Sequence, residues 1–220
     1  ADALLLQNEG RKRIISRISP SVQYNTVDNP IFPTTGKKLT AAFDLAGVGG
    51  NTAFYKPRLE AIWYLQHTRR TSLGFRGQFE FIAPWGGTDY LPIFERLVLG
   101  GEYSIRGYDI RTIGPREELS GLVIGGNKSL LFNAEYLIQI AGPVRLVGFF
   151  DTGQVRDENE SFRMSEFVSS AGAEIRFFMP VLNVPFRLIF ARNINYEGIL
   201  DNNFEPERKW RFRFAVGSTF

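Results

Sequence analysis

The sequence predicts an all-β fold, an antiparallel transmembrane β-barrel or a large part of one, and three observations carry that expectation. Apolar and polar residues alternate with period two, as side chains on opposite faces of a strand must. The alternating runs are roughly 9–13 residues long, near the length of a tilted strand crossing a bilayer, whereas soluble strands centre on about 5–6. Short turns alternate with long polar connections, which is the layout of outer-membrane barrels.

About nine strands can be read in order. Residues 14–24 and 38–45 alternate weakly. Residues 58–66 place Leu59, Ala61, Trp63 and Leu65 opposite Arg58, Glu60, Ile62 and Tyr64. Residues 72–83 are the cleanest, with Leu73, Phe75, Gly77, Phe79 and Phe81 opposite Ser72, Gly74, Arg76, Gln78 and Glu80. In 130–140, Leu130, Phe132, Ala134, Tyr136 and Ile138 oppose Leu131, Asn133, Glu135, Leu137 and Gln139. Residues 144–155 are less regular, though Asp151 falls in phase with Arg145. In 167–177 the apolar set Phe167, Ala171, Ala173, Ile175 and Phe177 faces away from Ser170, Gly172, Glu174 and Arg176. Residues 184–193 separate Val184, Phe186, Leu188 and Phe190 from Arg187 and Asn193. The final run, 210–220, sets Trp210, Phe212, Phe214, Val216 and Phe220 against Arg211, Arg213, Ala215, Gly217 and Thr219.

Between these runs, short turns fall near 28–30, 67–70, 141–143 and 179–183, and longer connections near 46–52, 84–127, 156–163 and 196–209. The 84–127 connection is far longer than ordinary loops, which marks it as functional. Residues 1–12 read as a leading segment or the remnant of a preceding strand, and 13–220 as the barrel portion.

Composition narrows the function. Among the 220 residues are 20 Phe, 8 Tyr and 3 Trp but only 2 Met, which suits pleated, aromatic-lined strands. With no Cys, disulfides and thiolate chemistry are excluded, and a single His makes a histidine metal cluster or a Ser-His-Asp site an unpromising reading. A net charge of +3 is too small to imply nucleic acid. A soluble sandwich or lipocalin-like barrel would also alternate. Two features weigh against it: the apolar face is aromatic in nearly every strand, and Arg and Glu stand mid-strand on the other face, as a wet lumen permits and a dry core does not.

The long connection contains Gly100-Gly101-Glu102-Tyr103-Ser104-Ile105-Arg106-Gly107-Tyr108 and then Thr112-Ile113-Gly114-Pro115. This stretch resembles the sixth extracellular loop of the BamA family, with its Val/Ile-Arg-Gly-Phe/Tyr signature at Ile105, Arg106, Gly107 and Tyr108. Phe32-Pro33-Thr34-Thr35-Gly36 is similar to the family's periplasmic turn, Phe149-Phe150-Asp151-Thr152-Gly153 to its Phe-x-Asp-x-Gly strand, and Phe212 to Phe220 to its C-terminal targeting strand. The likeness runs from about Arg13 to Phe220. The family's barrel has sixteen strands preceded by soluble periplasmic repeats, so this chain resembles the C-terminal portion of such a barrel.

The resemblance implies that the loop folds back into the barrel and that Arg106 meets Glu135 and Asp151. It implies a lateral gate at the last strand, involving Phe212, Phe214, Gly217 and Phe220. It further implies an outer-membrane assembly factor that inserts and folds other outer-membrane proteins, located in a Gram-negative-type outer membrane or a derived organelle. The partners implied are the lipid bilayer, unfolded outer-membrane clients and accessory assembly lipoproteins reached through periplasmic repeats. No catalytic residue, metal or cofactor is expected, and the chain is not read as an enzyme. A two-partner-secretion or TamA-type transporter of the same superfamily is the alternative, and a passive pore a further one.

Overall fold

The computed structural model describes residues 13–88, 90–118, 120–181, 184–218 and 220. Its regular structure is one antiparallel sheet of eleven strands: β1 (Arg17–Ile18), β2 (Ser21–Asn25), β3 (Gly36–Ala46), β4 (Phe54–Thr68), β5 (Thr71–Phe81), β6 (Ala83–Pro84), β7 (Lys128–Ala141), β8 (Val144–Arg156), β9 (Val168–Met179), β10 (Val184–Asn193) and β11 (Trp210–Val216). β1 and β2 both pair with β3, and β5 and β6 both pair with β4. Counting each of these two broken ribbons once leaves nine, joined as a simple meander.

The breaks have local causes. Pro20 separates β1 from β2 and has no N–H to place in a ladder; its carbonyl still accepts from the Phe43 N–H at 3.0 Å. Pro57 lies inside β4, where the β4–β5 register ends at Arg58↔Glu80 and the β4–β6 register resumes at Tyr55↔Ala83. A proline has no N–H to donate across that interval, where Phe81 stands opposite it.

Alternation decides the two faces. Leu59, Trp63 and Leu65 are exposed while Ile62 and Tyr64 are buried; Phe132 and Phe150 are exposed while Glu135 and Asp151 are buried. The sheet is strongly curled. Tyr103, in the long connection, receives an Arg76 hydrogen bond from β5 on its carbonyl (2.9 Å) and donates its hydroxyl to the Val216 carbonyl of β11. Those strands stand five places apart, about 24 Å on a flat sheet.

The connection between β6 and β7 fills the inner side. At the long-loop end, its Leu97, Leu99, Ile105, Tyr108 and Ile113 form a core with Phe54, Ile82, Leu131 and Val155. At the short-turn end a smaller cluster joins Ile62, Tyr64, Leu137 and Val147. A charged layer lies between them.

The last run differs from its sequence reading. The strand ends at Val216 instead of continuing to Phe220. Gly217 sits at φ +107, a conformation strained for any residue with a Cβ, and its N–H caps the Pro185 carbonyl at 2.8 Å. The chain therefore leaves the sheet, and Phe220 lies on the inner side, stacked 6.1 Å from the Tyr64 ring, instead of sharing a face with Phe212 and Phe214. The 14–24 run is likewise broken by Pro20 rather than continuous. The leading residues 1–12 lie outside the described residues.

Candidate functional site: a loop arginine on the inner wall

Arg106 is wholly buried. Its guanidinium forks onto Asp151, Nε to Oδ2 and Nη2 to Oδ1, both at 2.7 Å, and its backbone N–H adds a third bond to Oδ2 at 3.0 Å. Nη1 donates to Glu135 Oε1 at 2.7 Å and to Glu174 Oε2 at 3.2 Å. The Phe149 ring lies beneath, 3.8 Å from the guanidinium carbon. The planar five-donor fork of arginine gives four side-chain bonds here, two to Asp151 and one each to Glu135 and Glu174, where a lysine ammonium has three N–H groups and no fork.

Each partner is delivered by strand phase. Glu135 is on β7, Asp151 on β8 and Glu174 on β9, all pointing inward. Asn133, paired across from Asp151, donates to Asp151 Oδ1 at 2.8 Å and to the loop's Ser104 carbonyl at 2.7 Å.

Two further cations complete the cluster. Arg176 donates to Glu135 (3.1 Å) and Glu174 (2.8 Å). Arg187 forks onto Glu174 at 2.8 Å through both Nε and Nη2, and reaches the loop's Glu102 carbonyl at 3.2 Å. Arg176 and Arg187 face each other directly across β9 and β10, a repulsive pair unless carboxylates intervene. Glu135, Asp151 and Glu174 against Arg106, Arg176 and Arg187 make a buried cluster of balanced formal charge. Removing one member would leave an uncompensated charge in a place where water is scarce.

The residues around Arg106 fix how the loop seats. Gly107 has φ +94, and a Cβ there would fall 2.3 Å from Asn193 Oδ1 and 2.7 Å from Ala191 Cβ. Only glycine fits. The Gly107 carbonyl accepts from Asn193 Nδ2 at 3.1 Å. Tyr108 is buried and donates its hydroxyl to the Ser169 carbonyl at 3.1 Å. Ile105 is buried in the core beside Leu99.

The same connection also holds the last strand. Besides the Tyr103 bond to Val216, Asp109 pairs with Arg213 of β11. Phe212 and Phe214 face outward, 4.8 Å from Phe190 and 5.7 Å from Phe186 respectively. At the opposite end, the turn before β3 packs beneath the sheet, with Arg145 4.6 Å over Phe32 and donating to the Pro33 carbonyl at 3.3 Å. That turn is tied by Asp28, which accepts from the Thr34 N–H (2.9 Å), the Thr34 hydroxyl (2.5 Å) and the Thr35 N–H (3.1 Å). Desolvation pushes the Asp28 carboxyl up, but these hydrogen bonds together outweigh it and hold it below the ordinary carboxylate value.

Thus the structure brings Ile105, Arg106, Gly107 and Tyr108 together with Glu135 and Asp151. It adds Glu174, Arg176 and Arg187, which alternation placed on the polar face without assigning them to Arg106. It also adds the contacts of Glu102, Tyr103 and Asp109. Phe212 and Phe214 lie away from this cluster, on the outer face.

Residues 2–220 match the Omp85 superfamily domain. The chain belongs to the Omp85 superfamily. Among similar Omp85 relatives, it is 32% identical over 202 residues to a protein of Nitratidesulfovibrio vulgaris named outer membrane protein assembly factor BamA, covering 89% of this chain and 24% of the relative. It is 30% identical over 228 residues to the protein of the same name from Neisseria meningitidis serogroup B, covering 89% and 28%. The chain thus spans about a quarter of the length of these curated relatives. Its fold is similar to the crystal structure of Haemophilus ducreyi BamA lacking POTRA domains 1–3, with a TM-score of 0.74, 21% identity and coverage of 91% of this chain and 42% of that one. This Omp85 chain is therefore part of an outer-membrane β-barrel, and the exposed Trp, Phe and Leu side chains of its strands form the lipid-facing surface.

Proposed function

We propose that this chain is the catalytically inert but active part of an assembly factor that inserts and folds other outer-membrane β-barrel proteins. Both curated relatives carry that function in their names, which favours it over secretion or a passive pore. The observation that carries the reading is Arg106, a loop residue buried on Asp151, Glu135 and Glu174. A pore keeps a water-filled passage, whereas here the loop's Leu97, Leu99, Ile105, Tyr108 and Ile113 pack the inner side into a core.

On this reading the last strand, β11, serves as the gate. Among the described residues, β11 pairs with β10 on one side only. An open backbone edge in lipid is costly, so such an edge must be closed by another strand or be available to one. A client strand can add there by β-augmentation, its backbone hydrogen bonds replacing those lost on leaving water. The loop sets the position of that edge from inside through Tyr103 and Asp109. Phe212 and Phe214 anchor its outer face in lipid, and Gly217 releases the chain from the sheet beyond it. The partners on this reading are the bilayer, unfolded outer-membrane clients and accessory lipoproteins.

The test is Arg106→Ala in the full-length protein, reconstituted in vesicles with an unfolded barrel client and followed by the client's heat-modifiable mobility. Assembly should slow, and the loop should become protease-sensitive between residues 97 and 127. Full assembly with a protease-resistant loop would refute the latch.

A further inference from the structure

Most of the lipid-facing surface carries large side chains, and a patch on β3–β5 carries small ones. Ala61 and Gly77 are direct cross-strand neighbours on β4 and β5, and Ala41 lies one row further toward the long loops on β3. These three small residues floor a depression of about 470 Å³, walled by Leu59, Phe79 and Phe132. One row toward the short-turn end, Lys37 stands opposite Trp63, with its ammonium 5.7 Å from the Tyr24 ring centroid.

We infer that this depression holds an acyl chain of a phospholipid whose phosphate rests on Lys37. The site is on the face turned to lipid, where an unfilled hollow forfeits dispersion contacts on every wall. In a bilayer the molecules at hand to fill it are acyl chains. The depth fits within one leaflet: at about 3.4 Å per residue, Ala41 lies roughly 14 Å along β3 from Lys37, or about 11 Å of depth for a strand tilted about 40°, within the half of a hydrocarbon core about 30 Å thick. A lipid of the leaflet on the short-turn side, with its phosphate at Lys37, would therefore run its chain over the row of Ala61 and Gly77 and end near Ala41. Lys37 and Trp63 stand where headgroup-level anchors belong. Transfer from neighbouring lipid into the groove brings no hydrophobic gain, because lipid tails are as apolar as the groove. Retention rests instead on shape and on the lysine–phosphate contact, and the two can be removed separately.

The experiment is native mass spectrometry of the full-length protein released from vesicles of phosphatidylethanolamine and phosphatidylglycerol into mild detergent. Wild type should keep one phospholipid. Ala61→Phe, which fills the hollow, should abolish retention. Ala41→Leu fills its far end and should reproduce the loss if the first variant folds poorly. Lys37→Glu should weaken retention by at least about fivefold, the worth of one lysine beside an anionic headgroup. Equal retention by wild type and folded, groove-filled variants would overturn the inference. So would a dimer mass that disappears with Ala61→Phe, since a second copy would then be the occupant.

Discussion

Gly107→Ala should unseat the loop, and the structure supplies both the size of the effect and its control. At φ +94 a residue with a Cβ carries a conformational cost of about 1–2 kcal/mol. The new methyl would also lie 2.3 Å from Asn193 Oδ1 and 2.7 Å from Ala191 Cβ, and relieving such overpacking costs about 1–3 kcal/mol more. Together these come to about 2–5 kcal/mol, or roughly 30-fold to several thousandfold more of the unseated loop. Gly87 isolates the first contribution, for it sits at φ +83 in the same connection with nothing within 4 Å of its Cβ position. Gly87→Ala should show the conformational cost alone, about 1–2 kcal/mol, and only near its own turn. The assay is the rate of limited proteolysis within residues 97–127 of the folded protein, at protease concentrations where cleavage follows the open population. If Gly107→Ala is cleaved no faster than Gly87→Ala, the loop does not seat against Asn193 and Ala191.

Other consequences follow from the charge cluster and the turn beneath it. Glu174→Gln leaves Arg187 without its forked carboxylate partner and the cluster with an excess cation, which should destabilise the fold by about 3–5 kcal/mol in urea titrations. The double variant Glu174→Leu with Arg187→Met should cost less than that single change, because it removes both charges; a larger cost would contradict the balance described. Asp28 gives a pH dependence of known sign. Its folded-state value lies below 3.8, so its contribution is present above that pH and fades as pH falls through the lowered value. Amide protection in the turn at residues 26–35, taken relative to the intrinsic exchange rate at each pH, should therefore fall as pH drops through the lowered value, and Asp28→Asn should remove that pH dependence.

The sequence carried the faces of the sheet well and its interruptions poorly. Alternation at Ile62 to Leu65 and at Glu135 reports directly which side chains turn inward, because a strand's geometry allows only two directions. The backbone breaks were harder to see. Pro57 sits in a run that still alternates, and the break becomes visible only where the partner of β4 passes from β5 to β6. The end of β11 was obscured in the same way: Phe220 keeps the phase of Phe214, but the left-handed turn at Gly217 carries it to the other side of the sheet. For the site, the Arg-Gly motif and its likeness to a known loop pointed to Glu135 and Asp151. Phase alone put Glu174, Arg176 and Arg187 on the inner face but could not give their depth. Which of them meets Arg106 depends on the curl of the sheet, a long-range property that no local pattern records.

The most direct test of the account is oxygen accessibility along β4, measured by spin labels on single cysteines introduced one at a time from Leu59→Cys to Leu65→Cys in the reconstituted protein, within a 220-residue stretch that contains no cysteine. Oxygen, concentrated in the bilayer, should reach positions 59, 61, 63 and 65 more readily than positions 60, 62 and 64, in strict alternation, with the contrast shrinking toward Leu65 as the strand nears the headgroups. The opposite phase, or accessibility without alternation, would mean that the aromatic face of this sheet does not touch lipid.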